Sequence, residues 1–151
     1  MIYKLLYFSQ ESFKYTNKYL QTLDDILKVS RENNSKNNIT GVLIYSNGDL
    51  LQLLEGDEDK VTNLYSKIAV DSRHTNIKIL MKGESEDRNF PDWFMGFKLL
   101  EDEVYSNYLK QNNILERMGL RDFIFNQNRP IDTIIDLISG KYDFSKPDLI
   151  Q

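Results

Sequence analysis

Residues 39–56, ITGVLIYSNGDLLQLLEG, hold the strongest local fold signal in the chain. Two apolar runs flank Asn47-Gly48, a dipeptide suited to the left-handed backbone of a two-residue hairpin turn. They read as adjacent strands, the second ending at Gly56. Inside that second run, Leu50-Leu51-Gln52-Leu53-Leu54 places one amide where every neighbour requires an apolar environment. A buried amide without partners costs about 1–3 kcal/mol, so the fold must supply one. A backbone group or a buried water would serve. A tyrosine hydroxyl on a neighbouring strand would serve too, and would give the pair a chemical use.

Upstream, IYKLLYFS at 2–9 is aromatic and aliphatic on both parities, the pattern of a central strand covered on both faces. Thr22 and Asp25 form a capping-box-like helix start, followed by Leu23, Ile26, Leu27 and Ser30 at helical spacing, with fraying expected around Asn33 to Asn38. Downstream, Asp57, Glu58 and Asp59 place negative charge at the start of a helix over 58–70, whose apolar face carries Val61, Leu64, Tyr65 and Ile68. IKILMK at 77–82 is a fourth strand. FPDWFMGFKLL at 90–100 reads as a turn and a short fifth strand near an edge, where Pro91 is tolerated.

The order βαββαββ implies an α+β, ferredoxin-like sandwich: a five-stranded mixed sheet with two helices on one face. Two right-handed crossovers around the hairpin place strands one and three side by side, expected here as parallel neighbours, with Tyr7 and Gln52 on adjacent central strands. Residues 1–100 form the domain. Residues 101–151 form a helical extension, with a loosely periodic stretch near 102–118 and a clearer helix at 130–139 begun by Pro130 and stopped by Gly140. Ile131, Ile134, Ile135 and Ile138 give it an apolar stripe suited to the other sheet face.

A chain of 151 residues with 19 basic and 23 acidic side chains has a formal charge of −4 and no basic block that would hold a phosphate backbone, which argues against nucleic acid as a partner. No stretch of eighteen apolar residues suggests a membrane span, and the N-terminal apolar stretch is too short and interrupted for a secretory signal. The chain has no cysteine, which excludes disulfides, thiolate metal sites and a cysteine–flavin adduct, and fits a reducing compartment. A cytoplasmic protein without a fused catalytic output domain is expected.

Several residues admit two readings. Asn33 and Asn34 either cap the first helix or pair with a ligand, since a carboxamide matches the adjacent N–H and C=O of a uracil-like ring edge. Trp93 and Met95 share one parity of the last strand and read first as interior packing. His74, the single histidine, reads as a surface or polar-edge residue, with no metal set around it. Lys67 and Asp71 are spaced i, i+4 as in a weak surface ion pair. The phosphate-loop, dinucleotide, nucleophile-elbow and zinc-helix motifs are all absent.

Together LLYFS, DILKVSRENNSKNNITGVLIY, LLQLLEG, LYSKIAVDSRHTNI and FPDWFMGF resemble the BLUF family, blue-light sensors that use FAD. The resemblance implies that a flavin ring stacks between the two helices, on the face shared by Tyr7 and Gln52, and that the chain is not an enzyme. It implies Tyr7 as electron and proton donor, Gln52 as the amide linking it to the flavin, and Asn34 as main partner of the ring's polar edge, assisted by Asn33. Lys67 and Asp71 match flavin-contacting positions, and Arg73 lies near the ribityl or phosphate groups. Trp93 and Met95 match the pair whose exchange of position is debated in the light-driven switch. Phe94 stands where serine is common, and Asn38 where glycine is common. Output would pass through a homo-oligomer or a downstream signalling protein. Two alternatives come from other classes: an acylphosphatase-like hydrolase of the same topology, whose loop after strand one should carry an arginine that SQESFKYTNKY lacks, and a ligand-free interaction domain.

Overall fold

The computed structural model describes residues 1–12, 19–46, 48–99 and 149–150. The element order is β1 (Ile2–Glu11), α1 (Tyr19–Asn37), β2 (Thr40–Ser46), β3 (Asp49–Gly56), α2 (Glu58–Ala69), β4 (His74–Ser85), β5 (Gly96–Leu99) and β6 (Leu149–Ile150). The sheet order is β4-β1-β3-β2-β5-β6. The expected ferredoxin-like βαββαββ arrangement is present, and the two-residue β6 adds a sixth strand beside β5.

The adjacency of β1 and β3 holds, but their direction differs from the expected one: they pair antiparallel. The reason is geometric. The crossover through α1 returns β2 in the direction of β1, and the hairpin then reverses the chain, so β3 lying between β1 and β2 opposes both. β4 is antiparallel to β1, and β2 with β5 supplies the parallel pairing that makes the sheet mixed.

Gly48 sits in the hairpin turn with φ 92°, a backbone that side chains on Cβ disfavour. α1 begins three residues earlier than the capping-box pattern implied and continues through Asn33 and Asn34 to Asn37. It stops where Asn38 takes φ 52°, and the Ile39 N–H donates to the Asn34 carbonyl at 3.0 Å. α2 starts on Asp57, whose carboxylate accepts from the Lys60 N–H at 3.2 Å, with Glu58 and Asp59 in the first turn.

On one sheet face, Leu5, Tyr7, Leu43, Tyr45, Leu50 and Leu54 pack with Leu23 and Leu27 of α1 and Val61 of α2. On the other, Leu6, Phe8, Val42, Ile44, Leu51 and Leu53 are also buried, as the double-parity apolar runs require. The helices expected at 102–118 and 130–139 lie outside the described residues. At one end of the sheet Lys4 and Glu55 form a buried ion pair at 3.2 Å. The Glu55 carboxylate also accepts from the N–H groups of Asn89 and Phe90, at 2.6 and 2.8 Å. That pair anchors the loop leading to Trp93.

Candidate functional site

The register of β1 on β3 sets Tyr7 directly opposite Gln52, and both side chains point to the face covered by α1 and α2. Along β1 the pairing with β4 shifts between Leu6 and Tyr7 and again between Phe8 and Gln10, so irregular backbone brackets the tyrosine. The Tyr7 hydroxyl donates to Oε1 of Gln52, and Nε2 of Gln52 donates to the Met95 sulfur at 3.3 Å. Tyr7 is 3 % exposed and Gln52 6 %. The lone amide of the LLQLL run is thus satisfied at both ends by side chains.

Tyr7 packs against Tyr65 of α2, ring centroids 5.5 Å apart, and edge-on to His74 at 6.3 Å. Burial pushes the Tyr7 phenol far above its ordinary range, with the fields of Tyr65 and Asp71 adding to the effect. At ordinary pH it is therefore a neutral O–H donor. Above it opens a cleft of about 160 Å³ between the helices. Leu23, Ile26, Leu43, Leu50 and Ile68 form apolar walls, and Tyr7, Ser30, Gln52, Asp71, Arg73 and His74 supply polar groups.

The candidate residues divide. Asn34 is 1 % exposed, and its Nδ2 donates to the Phe94 carbonyl at 2.6 Å. Asn33 is exposed, with its carbonyl accepting from Asn37 Nδ2 at 2.9 Å, and neither asparagine is part of the cleft lining. Neither asparagine ends the helix, and neighbours on a helix point about 100° apart, so only one of the two faces the sheet. Asp71 and Arg73 line the cleft and pair with each other at 2.6 Å. The hydrogen bond from the Arg73 side chain holds the Asp71 carboxyl down at about 2. Lys67 is exposed and lies off the cleft lining. Its expected pairing with Asp71 is replaced by the Asp71–Arg73 pair, because α2 ends at Ala69 and the helical i, i+4 geometry ends with it.

Trp93 and Met95 precede β5 rather than lying on it, and they point different ways. Met95 is buried against Gln52, while Trp93 stacks on Phe90 with centroids 5.4 Å apart and planes 12° apart. The Trp93 ring lies over Gly96, where a Cβ would stand 2.3 Å from a ring carbon. Phe94, between them, is 44 % exposed.

Sequence reasoning set His74 at a surface or polar edge. It lies in the cleft wall, one ring nitrogen 2.9 Å from the Ser9 hydroxyl and the other on the Ile68 carbonyl. Its place directly after Arg73 was the available signal. Tyr65 and Ser30 likewise carry only a helix-face signal in the sequence. Among the described residues no cluster of His, Asp and Glu forms a metal site. The donor set suits a flat aromatic ligand: apolar walls for its faces, a carboxamide and a phenol at a polar edge, and an arginine for an anionic tail.

The family described as BLUF, sensors of blue-light using FAD, matches residues 2–96. Among curated proteins, the photoactivated adenylate cyclase subunit beta of Euglena longa is 38 % identical over 72 residues, covering 47 % of this chain and 8 % of that protein. The chain therefore matches only a small part of that relative's length. Among solved structures, BlsA in its ground state superposes with TM-score 0.76 at 31 % identity, covering 91 % of this chain and 87 % of that one. BlsA in its photo-activated state gives 0.74 at 27 % identity over 98 % and 99 %.

Proposed function

Because this chain belongs to the BLUF family, we propose that it is a blue-light photoreceptor that holds FAD noncovalently between α1 and α2 and signals through rearrangement at Gln52. The observation that carries this reading is the buried chain from the Tyr7 hydroxyl through the Gln52 amide to the Met95 sulfur on the cleft floor. Leu23, Ile26 and Ile68 would enclose the ring, Asn34 and Gln52 would meet its polar edge, and Arg73 with Asp71 would face the ribityl and phosphate end. Asn33 and Lys67, exposed and off the cleft lining, are left out of this set.

A flavin held there would, when excited by blue light, supply a strong one-electron oxidant. Tyr7 is poised to answer it as a neutral, buried phenol already hydrogen-bonded to an acceptor. A phenol that has lost an electron becomes strongly acidic, so its proton moves along the existing bond toward Gln52 Oε1. On return of electron and proton, a rotated or tautomerised Gln52 would present a different donor to the cleft and release or retain Met95 accordingly. A net hydrogen bond is worth about 0.5–1.5 kcal/mol, so the two arrangements lie close enough for thermal reversal. Exchange of Trp93 and Met95 would carry the change to β5. From there we assign output to the 101–151 extension and to a homo-oligomer or a downstream signalling partner, in the cytoplasm.

Protein produced with ample riboflavin should purify yellow with releasable FAD, and Asn34→Ala should retain less of it. A folded, colourless preparation that takes up no added FAD would remove the proposal and leave the ligand-free interaction domain in its place.

A further inference from the structure

Three consecutive carbonyls just before β5 are each held by a separate donor. The Gly41 N–H of β2 donates to Trp93 O at 2.9 Å, Asn34 Nδ2 to Phe94 O at 2.6 Å, and Arg31 Nε to Met95 O at 3.0 Å. Two of the three donors are side chains of α1, one turn apart on the same helix face. The segment carrying Trp93 and Met95 is thus tied to α1 by side chains, and Ser30, next to Arg31, lines the cleft.

We propose that Arg31 is a positioning residue whose Nε bond to the Met95 carbonyl sets the Met95 sulfur against the Gln52 amide. A guanidinium is an expensive way to fill a position against the core. Arg31 Nη2 is buried with no acceptor among the described residues, and burial lowers the tendency of the group to hold its charge. An apolar side chain would pack here without an unsatisfied donor. What arginine adds is direction: a planar N–H at fixed distance from the helix, aimed at one carbonyl. Fixing that carbonyl fixes the Met95 Cα, and the sulfur then lies 3.3 Å from Gln52 Nε2. The consequence for the light response rests on the photosensor reading, while the clamp itself does not.

The test compares side chains that carry and lack an N–H donor at the position of the arginine Nε. In Arg31→Gln, Nε2 occupies the place of the arginine Nε, bonded to Cδ, and still donates to Met95 O without the charge. Arg31→Leu keeps an apolar side chain as far as Cδ and removes the donor. Dark protein is treated with dilute peroxide, and sulfoxide formation is read peptide by peptide, with Met1, 76 % exposed, as internal standard. Met95 should be protected in wild type and in Arg31→Gln. In Arg31→Leu its oxidation relative to Met1 should rise about tenfold, the equilibrium equivalent of one net hydrogen bond. Arg31→Met, read through its own peptide, replaces the leucine variant if that one does not fold. Unchanged Met95 protection in Arg31→Leu overturns the proposal, as does an equal rise in the Gln and Leu variants, which would assign the effect to charge. In light-responsive protein the same ranking is expected in dark-recovery rate: wild type and Gln alike, Leu altered. The oxidation result stands whether or not the protein binds flavin, so failure of the clamp and failure of the light-sensing reading are separable.

Discussion

The Tyr7–Gln52 hydrogen bond should reveal itself as strong non-additivity in stability. Tyr7→Phe removes the hydroxyl and leaves Gln52 Oε1 buried without its donor. Gln52→Leu leaves the Tyr7 hydroxyl buried without its acceptor, in a position almost wholly closed to solvent. Each orphaned polar atom costs about 1–3 kcal/mol. For a chain of this length 1 kcal/mol corresponds to roughly 2–4 °C in Tm, so each single variant should melt roughly 2–12 °C lower. The double variant buries neither polar atom, and its neighbours Leu5, Leu43, Leu50 and Leu54 accept two apolar side chains. It should therefore lie well above the sum of the singles, by about 1–3 kcal/mol of coupling. The assay is a set of four denaturant or thermal melts on cofactor-free protein, because a ligand bound to the native state would itself raise Tm. Additivity within about 0.5 kcal/mol would mean that the two groups do not share a bond, and the account of the cleft floor would be wrong.

Gly96→Ala places a methyl where the Trp93 ring now lies, 2.3 Å from a ring carbon, and should expel the indole from its stack on Phe90. The chain has a single tryptophan, so its emission should shift to the red, and an unchanged spectrum would contradict the packing described. Arg73→Ala should let Asp71 titrate near the ordinary aspartate range of about 3.9 instead of about 2, as read from its carboxyl NMR shift. The folded value lies below the unfolded one, so the pair contributes stability above about pH 4 that is lost as pH falls toward 2. The variant should show a flatter acid limb. The difference is modest because both side chains are substantially exposed. Lys4→Met leaves the buried Glu55 carboxylate without its counter-charge and should cost about 3–5 kcal/mol, part of it recovered in Lys4→Met with Glu55→Gln, which removes the charge and keeps an acceptor for the Asn89 and Phe90 N–H groups. Equal melting of the single and double variants would contradict that assignment.

Much of the fold was readable because its signals are local. Asn47-Gly48 marks the hairpin, Gly56 and Asp57 mark the strand-to-helix change, and the doubly apolar runs mark central strands. Gln52 stood out because nothing else in its run is polar, and Tyr7 became its partner once β1 and β3 were placed side by side. The parallel direction expected for β1 and β3 fails, since adjacency follows from the crossovers whereas direction depends on the hairpin reversing the chain between them. Period-based reading also fails at neighbouring polar residues. Asn33 and Asn34 look alike in sequence, yet the helix turns one out and the other in. Lys67 and Asp71 match a helical spacing that stops two residues short of Asp71. The sequence places His74 at a surface or polar edge and gives Arg31 no role, because an isolated polar side chain carries no sign of what it touches. Arg31 does lie three residues before Asn34 and four after Leu27, on the face that meets the sheet, and that spacing is the signal that was available.

The absorption spectrum of the purified protein, recorded in the dark, after blue light and again after return to darkness, tests the central claim most directly. Flavin bands should move to longer wavelength on illumination and return in the dark, and Tyr7→Phe, with its flavin retained, should show no such movement. A flavin-loaded protein whose spectrum is unmoved by blue light, or a Tyr7→Phe variant that shifts and recovers like wild type, would contradict the assignment of Tyr7 and Gln52 as the light switch.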